Sequence, residues 1–162
     1  MSEDDILEVR LIDAITDHVE NTGDLPRHQT VRYTRPVAVL PDDGDVLCVW
    51  LLGKESRPLT TDNDDSTISI GVSYQVPAPA RAETLMTDPK RTKALLTTIH
   101  ALQRSLQGLF QDGWLEATGT DIPEAYDGFV ANIDYTPPTR LETGLVEGYA
   151  LTVRVLCQER RS

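Results

Sequence analysis

The spacing of apolar residues along the chain predicts two amphipathic helices. The first begins at Ser2 with a capping-box pattern and ends at Gly23, where Pro26 prevents its continuation. Its apolar residues recur every three or four positions: Leu7, Leu11, Ile12, Ile15 and Val19. The second begins with the pair Asp88-Pro89. Its stripe is Leu95, Ile99, Leu102, Leu106 and Leu109, which is typical of a helix lying across a sheet and ends before Gly113.

Five segments have the apolar pattern of strands. They are residues 31–39, 46–52, 67–76, 129–135 and 145–158. The first contains Pro36, which has no N–H to donate to a sheet ladder, and a turn sequence at 41–45 predicts that it forms a hairpin with the second. The second is apolar on both faces, as in a strand covered on both sides or one whose second face meets another subunit. Pro137-Pro138 is expected to end the fourth strand.

The order of these elements, α-β-β-β-α-β-β, predicts an α+β fold in which a mostly antiparallel sheet packs against two helices. A chain of 162 residues is expected to form a single domain, residues 1–162. Residues 54–67 are polar and contain Pro58, which predicts a flexible, protruding loop. Residues 114–126 have no clear period and are expected to be irregular.

The net charge of −11 argues against specific binding of nucleic acid and against attachment to an anionic membrane, because both call for basic residues. Two interpretations of the acidity remain. The favoured one is a solvated surface that keeps the protein soluble. The other is a surface that must not adhere to DNA passing close to it.

The two cysteines, Cys48 and Cys157, lie inside apolar strand patterns and are expected to be buried, reduced thiols. The N-terminus is acidic and lacks the basic region of a signal peptide, and the longest apolar run is too short to cross a bilayer. These features predict that the protein is made in the cytoplasm.

Patterns typical of catalysis are missing from the sequence. The histidines His18, His28 and His100 have no spacing that would place two imidazoles on one metal, and no phosphate-binding or nucleophile-elbow motif occurs. The acidic cluster 62–65 lacks the glycine and glutamate of a calcium-binding loop. We therefore expect no enzyme activity, no metal and no cofactor.

Two tryptophans lie at informative positions. Trp50 lies in the doubly apolar strand, where packing in the core is the favoured interpretation. Trp114 follows the second helix and is expected either to cover the end of the core or to anchor a protein contact, where tryptophan is enriched.

The layout resembles that of the tail terminator (minor tail) proteins of long-tailed bacteriophages. The likeness lies in the short N-terminal amphipathic helix, the hairpin around 41–45, the long loop 54–67, the helix after a proline-rich crossing and the closing strand at 148–155. It implies a structural virion protein at the head-proximal end of the tail. Its subunits would form a homo-hexameric ring that contacts the tail tube protein and the head-tail connector protein. The candidate interface residues are Trp50, Leu52, Arg57, Leu59, Asp62, Asp64 and Trp114.

Three alternatives stay open at this point. The chain could be another head-tail connector or tail-completion protein, or a small acidic inhibitor or immunity-type protein that binds a basic partner as a monomer. It could also be an enzyme of the hot-dog type, in which Asp88 or Glu83 beside the long helix would act on a thioester.

Overall fold

A computed structural model describes residues 2–36, 44–78, 89–111, 122–141 and 144–160. The helices are α1 (Leu7–Thr22) and α2 (Pro89–Leu109), and a short 3-10 turn, Glu3–Asp5, precedes α1. The strands are β1 (His28–Arg32), β2 (Asp45–Pro58), β3 (Asn63–Ala78), β4 (Ala125–Leu141) and β5 (Gly144–Arg160). The predicted α+β class is confirmed, and the predicted order of elements is roughly right, since a 3-10 turn precedes the first helix.

The five strands form one sheet in the order β1-β2-β3-β5-β4. Its pairs are antiparallel except that β1 runs parallel to β2, with His28 opposite Asp45. The predicted hairpin between the first two strands is therefore wrong. Strand β1 ends at Arg32, and Tyr33 has a positive φ of 71°, which turns the chain away from the ladder. Apolar alternation carries no information on strand direction, and residues 37–43 lie outside the described residues.

The protruding loop predicted for residues 54–67 is a regular hairpin. Strand β2 continues to Pro58, β3 begins at Asn63, and the two stay paired up to Pro58 opposite Asp64. In the turn, the backbone N–H groups of Leu59 and Thr60 donate to the Asn63 carbonyl over 3.0 and 3.1 Å. The sequence pattern missed these strand ends because β2 is largely exposed from residue 51 onward, so no apolar alternation is required there.

Two other expected boundaries also shift. Pro137-Pro138 does not end β4, which continues to Leu141 with a register irregularity between Thr136 and Thr139. A bulge on a strand at the sheet edge accommodates prolines without loss of a ladder bond. Of the segment expected to be irregular, Ala125 and Tyr126 belong to β4, and residues 114–121 lie outside the described residues.

At its N-terminus the chain forms the expected capping box, in which the Ser2 N–H donates to the Asp5 carboxylate over 3.2 Å. This box closes the 3-10 turn, and Ile6 is extended, so α1 begins at Leu7. At the other end, the Gly23 N–H donates to the Val19 carbonyl over 2.8 Å, as expected of a C-cap.

Both helices pack on the same face of the sheet. The core they form contains the apolar stripes predicted for α1 and α2, together with every second residue of the central strands, such as Ile68, Ile70 and Val72 of β3. Ion pairs tie α1 to the sheet around this core: Arg32 binds Asp13 and Asp17, and Lys54 binds Glu8.

Candidate interaction surface

The side of the sheet opposite α1 and α2 is called the open face here. Strand register places the following side chains on it: Val46, Cys48 and Trp50 of β2, Ser69, Ser73 and Gln75 of β3, and Ala150, Thr152, Arg154 and Leu156 of β5. Neither helix contributes to the apolar cluster on this side, which contains only strand residues among those described. The open face is therefore the part of the described molecule where a partner could replace a missing layer.

One half of the open face is buried within the subunit. Val46, Cys48 and Trp50 are 1%, 0% and 8% exposed and pack with Val31 and Ala150. The Trp50 ring lies flat across β3, because a Cβ added to Gly71 would lie only 2.5 Å from it. Glycine at position 71 thus leaves the space in which the indole packs on β3.

The other half of the open face exposes large apolar side chains. A register irregularity between Leu51 and Gly53 marks a bulge in β2. Leu52 at this bulge is 48% exposed, and Phe129 on β4, which lies opposite the open-face residue Arg154, is 44% exposed. Single exposed apolar residues are ordinary on protein surfaces, but a group on one sheet face is typical of an interaction site.

A groove beside Trp50 joins the two halves, and we call it the Trp50 groove. It has a volume of about 380 Å³, and its lining includes Arg35, Pro36, Trp50, Leu52, Gln75 and Ala150. The Gln75 side-chain carbonyl oxygen, which lines the groove, is buried and makes no hydrogen bond. Buried polar atoms are almost always hydrogen-bonded, so an unpaired acceptor in the groove indicates a place for an incoming donor.

A second concave region continues along the open face from Leu52. Its volume is about 550 Å³, and Lys54, Glu55, Phe129 and Arg154 contribute to its lining. The apolar Trp50 groove and this more polar region share Leu52, so together they run along much of β2.

The hairpin between β2 and β3 ends in a second exposed group, which we call the hairpin tip, residues 57–64. The Arg57 side chain is 80% exposed and Leu59 is 49% exposed, while Asp62 is exposed and Asp64 is half-buried. The turn is ordered by the Thr60 hydroxyl oxygen, which accepts hydrogen bonds from the N–H groups of Asp62 and Asn63.

The candidate interface residues named from the sequence thus fall into two groups. Trp50 and Leu52 line the Trp50 groove, whereas Arg57, Leu59, Asp62 and Asp64 belong to the hairpin tip. Trp114 lies outside the described residues.

Sequence reasoning missed several residues of the open face. Gln75, Ser73 and Phe129 were assigned only to alternating positions of strands. The available signal was that β3 alternates strictly, so its polar positions had to face away from the helices, but only the structure shows that two of them are buried there.

The histidines are held in structural contacts or exposed. The His18 ring meets the Ser105 carbonyl over 2.9 Å, and burial lowers its pKa, opposed by this hydrogen bond. His28 lies between Glu20 at 2.7 Å and the Pro26 carbonyl at 2.6 Å. Burial would lower the pKa of His28, but these two hydrogen bonds outweigh it and raise the pKa. His100 is exposed on α2.

The two thiols are fully buried and unpaired with each other. Burial raises the pKa of Cys48 to about 11 and that of Cys157 to about 12, which leaves both as thiols rather than reactive thiolates at neutral pH. Among the described residues, no three histidine, cysteine or acidic side chains are grouped to hold a metal ion.

No protein-family model matches the chain, and no curated protein matches its sequence significantly. Within the described ranges, neither helix is long and apolar enough to cross a membrane.

Proposed function

We propose that this chain is a structural protein of a bacteriophage tail, a tail terminator whose subunits form a ring on the last ring of tail tube protein. The ring would stop tube growth and provide the surface that joins the head connector. The observation that carries this proposal is that one subunit presents two unlike surfaces, the open face and the hairpin tip. A closed ring needs two unlike patches on each subunit, because its contacts are heterologous.

The apolar side chains of the open face support assembly energetically. Complete burial of a leucine or phenylalanine side chain contributes about 1.5–3 kcal/mol. Leu52 and Phe129 are 48% and 44% exposed in the isolated subunit, so roughly half of that contribution is still available from each. A second subunit that covers the open face would recover it.

The acidity of the chain is consistent with a tail position. With a net charge of −11, acids on the inner wall of a ring would repel DNA and let it pass without adhering. Charge reversal of Asp62, Asp64 and Asp65 tests this part separately. If that variant assembles normally and DNA passes normally, the proposal that these acids repel DNA is wrong. The proposal that the subunits form a ring would be unaffected.

The inhibitor alternative receives no support from the acidic residues of α1. An acidic mimic of nucleic acid needs free carboxylates, but those of α1 are paired within the subunit. Asp13 and Asp17 bind Arg32, Glu20 binds His28, and Glu8 binds Lys54. The hot-dog enzyme alternative depends on Asp88 and Glu83, which lie outside the described residues.

Tube growth in the presence of this protein tests the proposal. Tail tube protein encoded in the same genome is polymerised with and without the chain, and tube lengths are measured by negative-stain electron microscopy. We expect shorter tubes that carry a ring at one end. The variant Leu52→Asp should leave tubes long, whereas Leu96→Asp, which changes an equally exposed residue of α2, should still cap them. Long, ringless tubes with the unaltered protein would contradict the proposal.

A further inference from the structure

We propose that the hairpin tip of one subunit inserts into the Trp50 groove of a second copy of this chain. This inference rests on the ring proposed above and names the contact that closes it. It uses both groups of candidate residues, which the structure places at opposite ends of the outer half of β2.

The groove and the tip of one chain are too far apart to meet. Leu52 and Leu59 are seven positions apart along an extended strand and the turn that follows it, a separation of roughly 20 Å. A contact between these two residues must therefore join different subunits.

The hairpin tip carries an apolar side chain and a hydrogen-bond donor that complement the Trp50 groove. Leu59 is 49% exposed and would complete the apolar wall formed by Trp50 and Leu52. The Thr60 oxygen already accepts two backbone hydrogen bonds, at 3.2 and 3.1 Å, so its O–H is oriented to donate elsewhere. The unpaired Gln75 carbonyl in the groove is an acceptor for such a donor.

One pair of opposite charges lies on the two surfaces. Arg35 is exposed at the rim of the groove, and Asp62 is exposed at the tip. Opposite charges at the rim of a contact fix its register and exclude wrong partners more than they add affinity. A tip that enters with Leu59 inward would bring Asp62 toward the rim.

Cross-linking between single-cysteine variants tests the contact directly. Leu59→Cys and Leu52→Cys proteins, one carrying an affinity tag, are mixed under the conditions in which rings form, alone or on tube ends, and then oxidised. The native cysteines are fully buried and should not react. We expect a disulfide between the two variants, because inserted Cα atoms would approach within about 7 Å. Each variant oxidised alone is the control and should remain uncrosslinked.

A charge exchange tests the register. Arg35→Asp or Asp62→Arg alone should weaken association about three- to tenfold, and the double variant should recover most of that loss. Both positions are exposed, so far-ultraviolet circular dichroism should show the same fold for all variants.

Each outcome has a defined meaning. Rings that form without the 52–59 cross-link and are indifferent to the charge exchange would overturn the insertion but leave the ring function standing. Cross-linked open filaments would support the insertion and contradict a closed ring. A chain that does not self-associate either alone or on tube ends would overturn both.

Discussion

The two faces of the sheet bury apolar side chains in different ways. On the helix face, α1 and α2 cover one continuous core in which residues such as Leu11, Leu102 and Val153 are 0% exposed. On the open face, Val46, Cys48 and Trp50 form a small cluster, and Leu52 and Phe129 remain exposed beside it. The first face is complete within one subunit, whereas the second has the composition of a surface that a partner completes.

Polar residues show the same difference. On the helix face, the Tyr74 hydroxyl is buried and donates to Asp45 over 2.6 Å. On the open face, the Gln75 carbonyl is buried without a partner. Changes matched across the two faces can therefore test whether one face serves folding and the other serves assembly.

The largest effect is expected from the core of the helix face. Leu102→Ala should lower the free energy of unfolding by about 2–5 kcal/mol, because it leaves a cavity among fully buried side chains. Leu96→Ala on the same helix is the control, since Leu96 is 46% exposed, and should change stability by no more than about 0.5 kcal/mol. Urea denaturation measures both, and equal effects would contradict the assignment of the core.

The buried half of the open face is tested by Gly71→Ala. The added methyl group would lie 2.5 Å from the Trp50 ring, so the ring must move, at a cost of about 1–3 kcal/mol. Gly53→Ala is the control, because nothing lies within 4 Å of its added Cβ. Urea denaturation followed by tryptophan fluorescence should separate the two variants, and a fully stable Gly71→Ala protein would show that Trp50 does not pack on β3.

The unpaired acceptor predicts a gain of stability on mutation. Gln75→Leu should raise the free energy of unfolding of the isolated subunit by about 1 kcal/mol, because it removes a buried carbonyl oxygen that has no hydrogen-bond partner. Tyr74→Phe, at the adjacent position on the helix face, should lower it by about 1 kcal/mol, because it removes a formed hydrogen bond. If Gln75→Leu destabilised the subunit as much as Tyr74→Phe does, the Gln75 side chain would have an intramolecular role.

The smallest effect is a dependence of stability on pH through His28. Its hydrogen bonds to Glu20 and Pro26 raise its pKa against the effect of burial. The stabilisation of the folded chain by protonated His28 is therefore fully present below the ordinary histidine pKa of about 6.5. It is lost as the pH rises through the raised pKa of His28 in the folded chain. Unfolding measured between pH 6 and 9 should show a steeper decline for the unaltered chain than for His28→Gln.

His18 provides a control of opposite sign. Burial lowers its pKa, so its charging on the way to low pH opposes folding, and this penalty appears as pH falls below about 6.5. His18→Gln should reduce the loss of stability at acid pH. It should leave the decline of stability with rising pH unchanged. If the two variants changed the same pH range, the contacts assigned to one of the histidines would be wrong.

Local periodicity was sufficient to predict much of the helix face. The apolar stripes of α1 and α2 and the alternation of β3 and β5 correspond to side chains in the core, because burial on one side imposes a repeat of 3.6 or 2 residues. Where no burial is imposed the repeat disappears, so the outer half of the β2–β3 hairpin has no strand pattern in the sequence.

The open face could be predicted only in part. The doubly apolar run at 46–52 indicated that both faces of β2 are occupied. The groove, however, depends on the bulge near Leu52, the turn after Arg32 and the pairing that places Gln75 opposite Val46 and Ala150 opposite Ser73. Such long-range pairing leaves no local repeat in the sequence.

The most direct test of the central claim is the solution mass of the protein by analytical ultracentrifugation over a concentration series, with and without tail tube protein. We expect the unaltered chain to form rings of about six subunits in at least one of these conditions. We also expect that Leu52→Asp prevents ring formation and that Leu96→Asp does not. A chain that stays monomeric throughout, or one in which Leu96→Asp disrupts assembly as strongly as Leu52→Asp, would contradict the claim that the open face is the assembly surface.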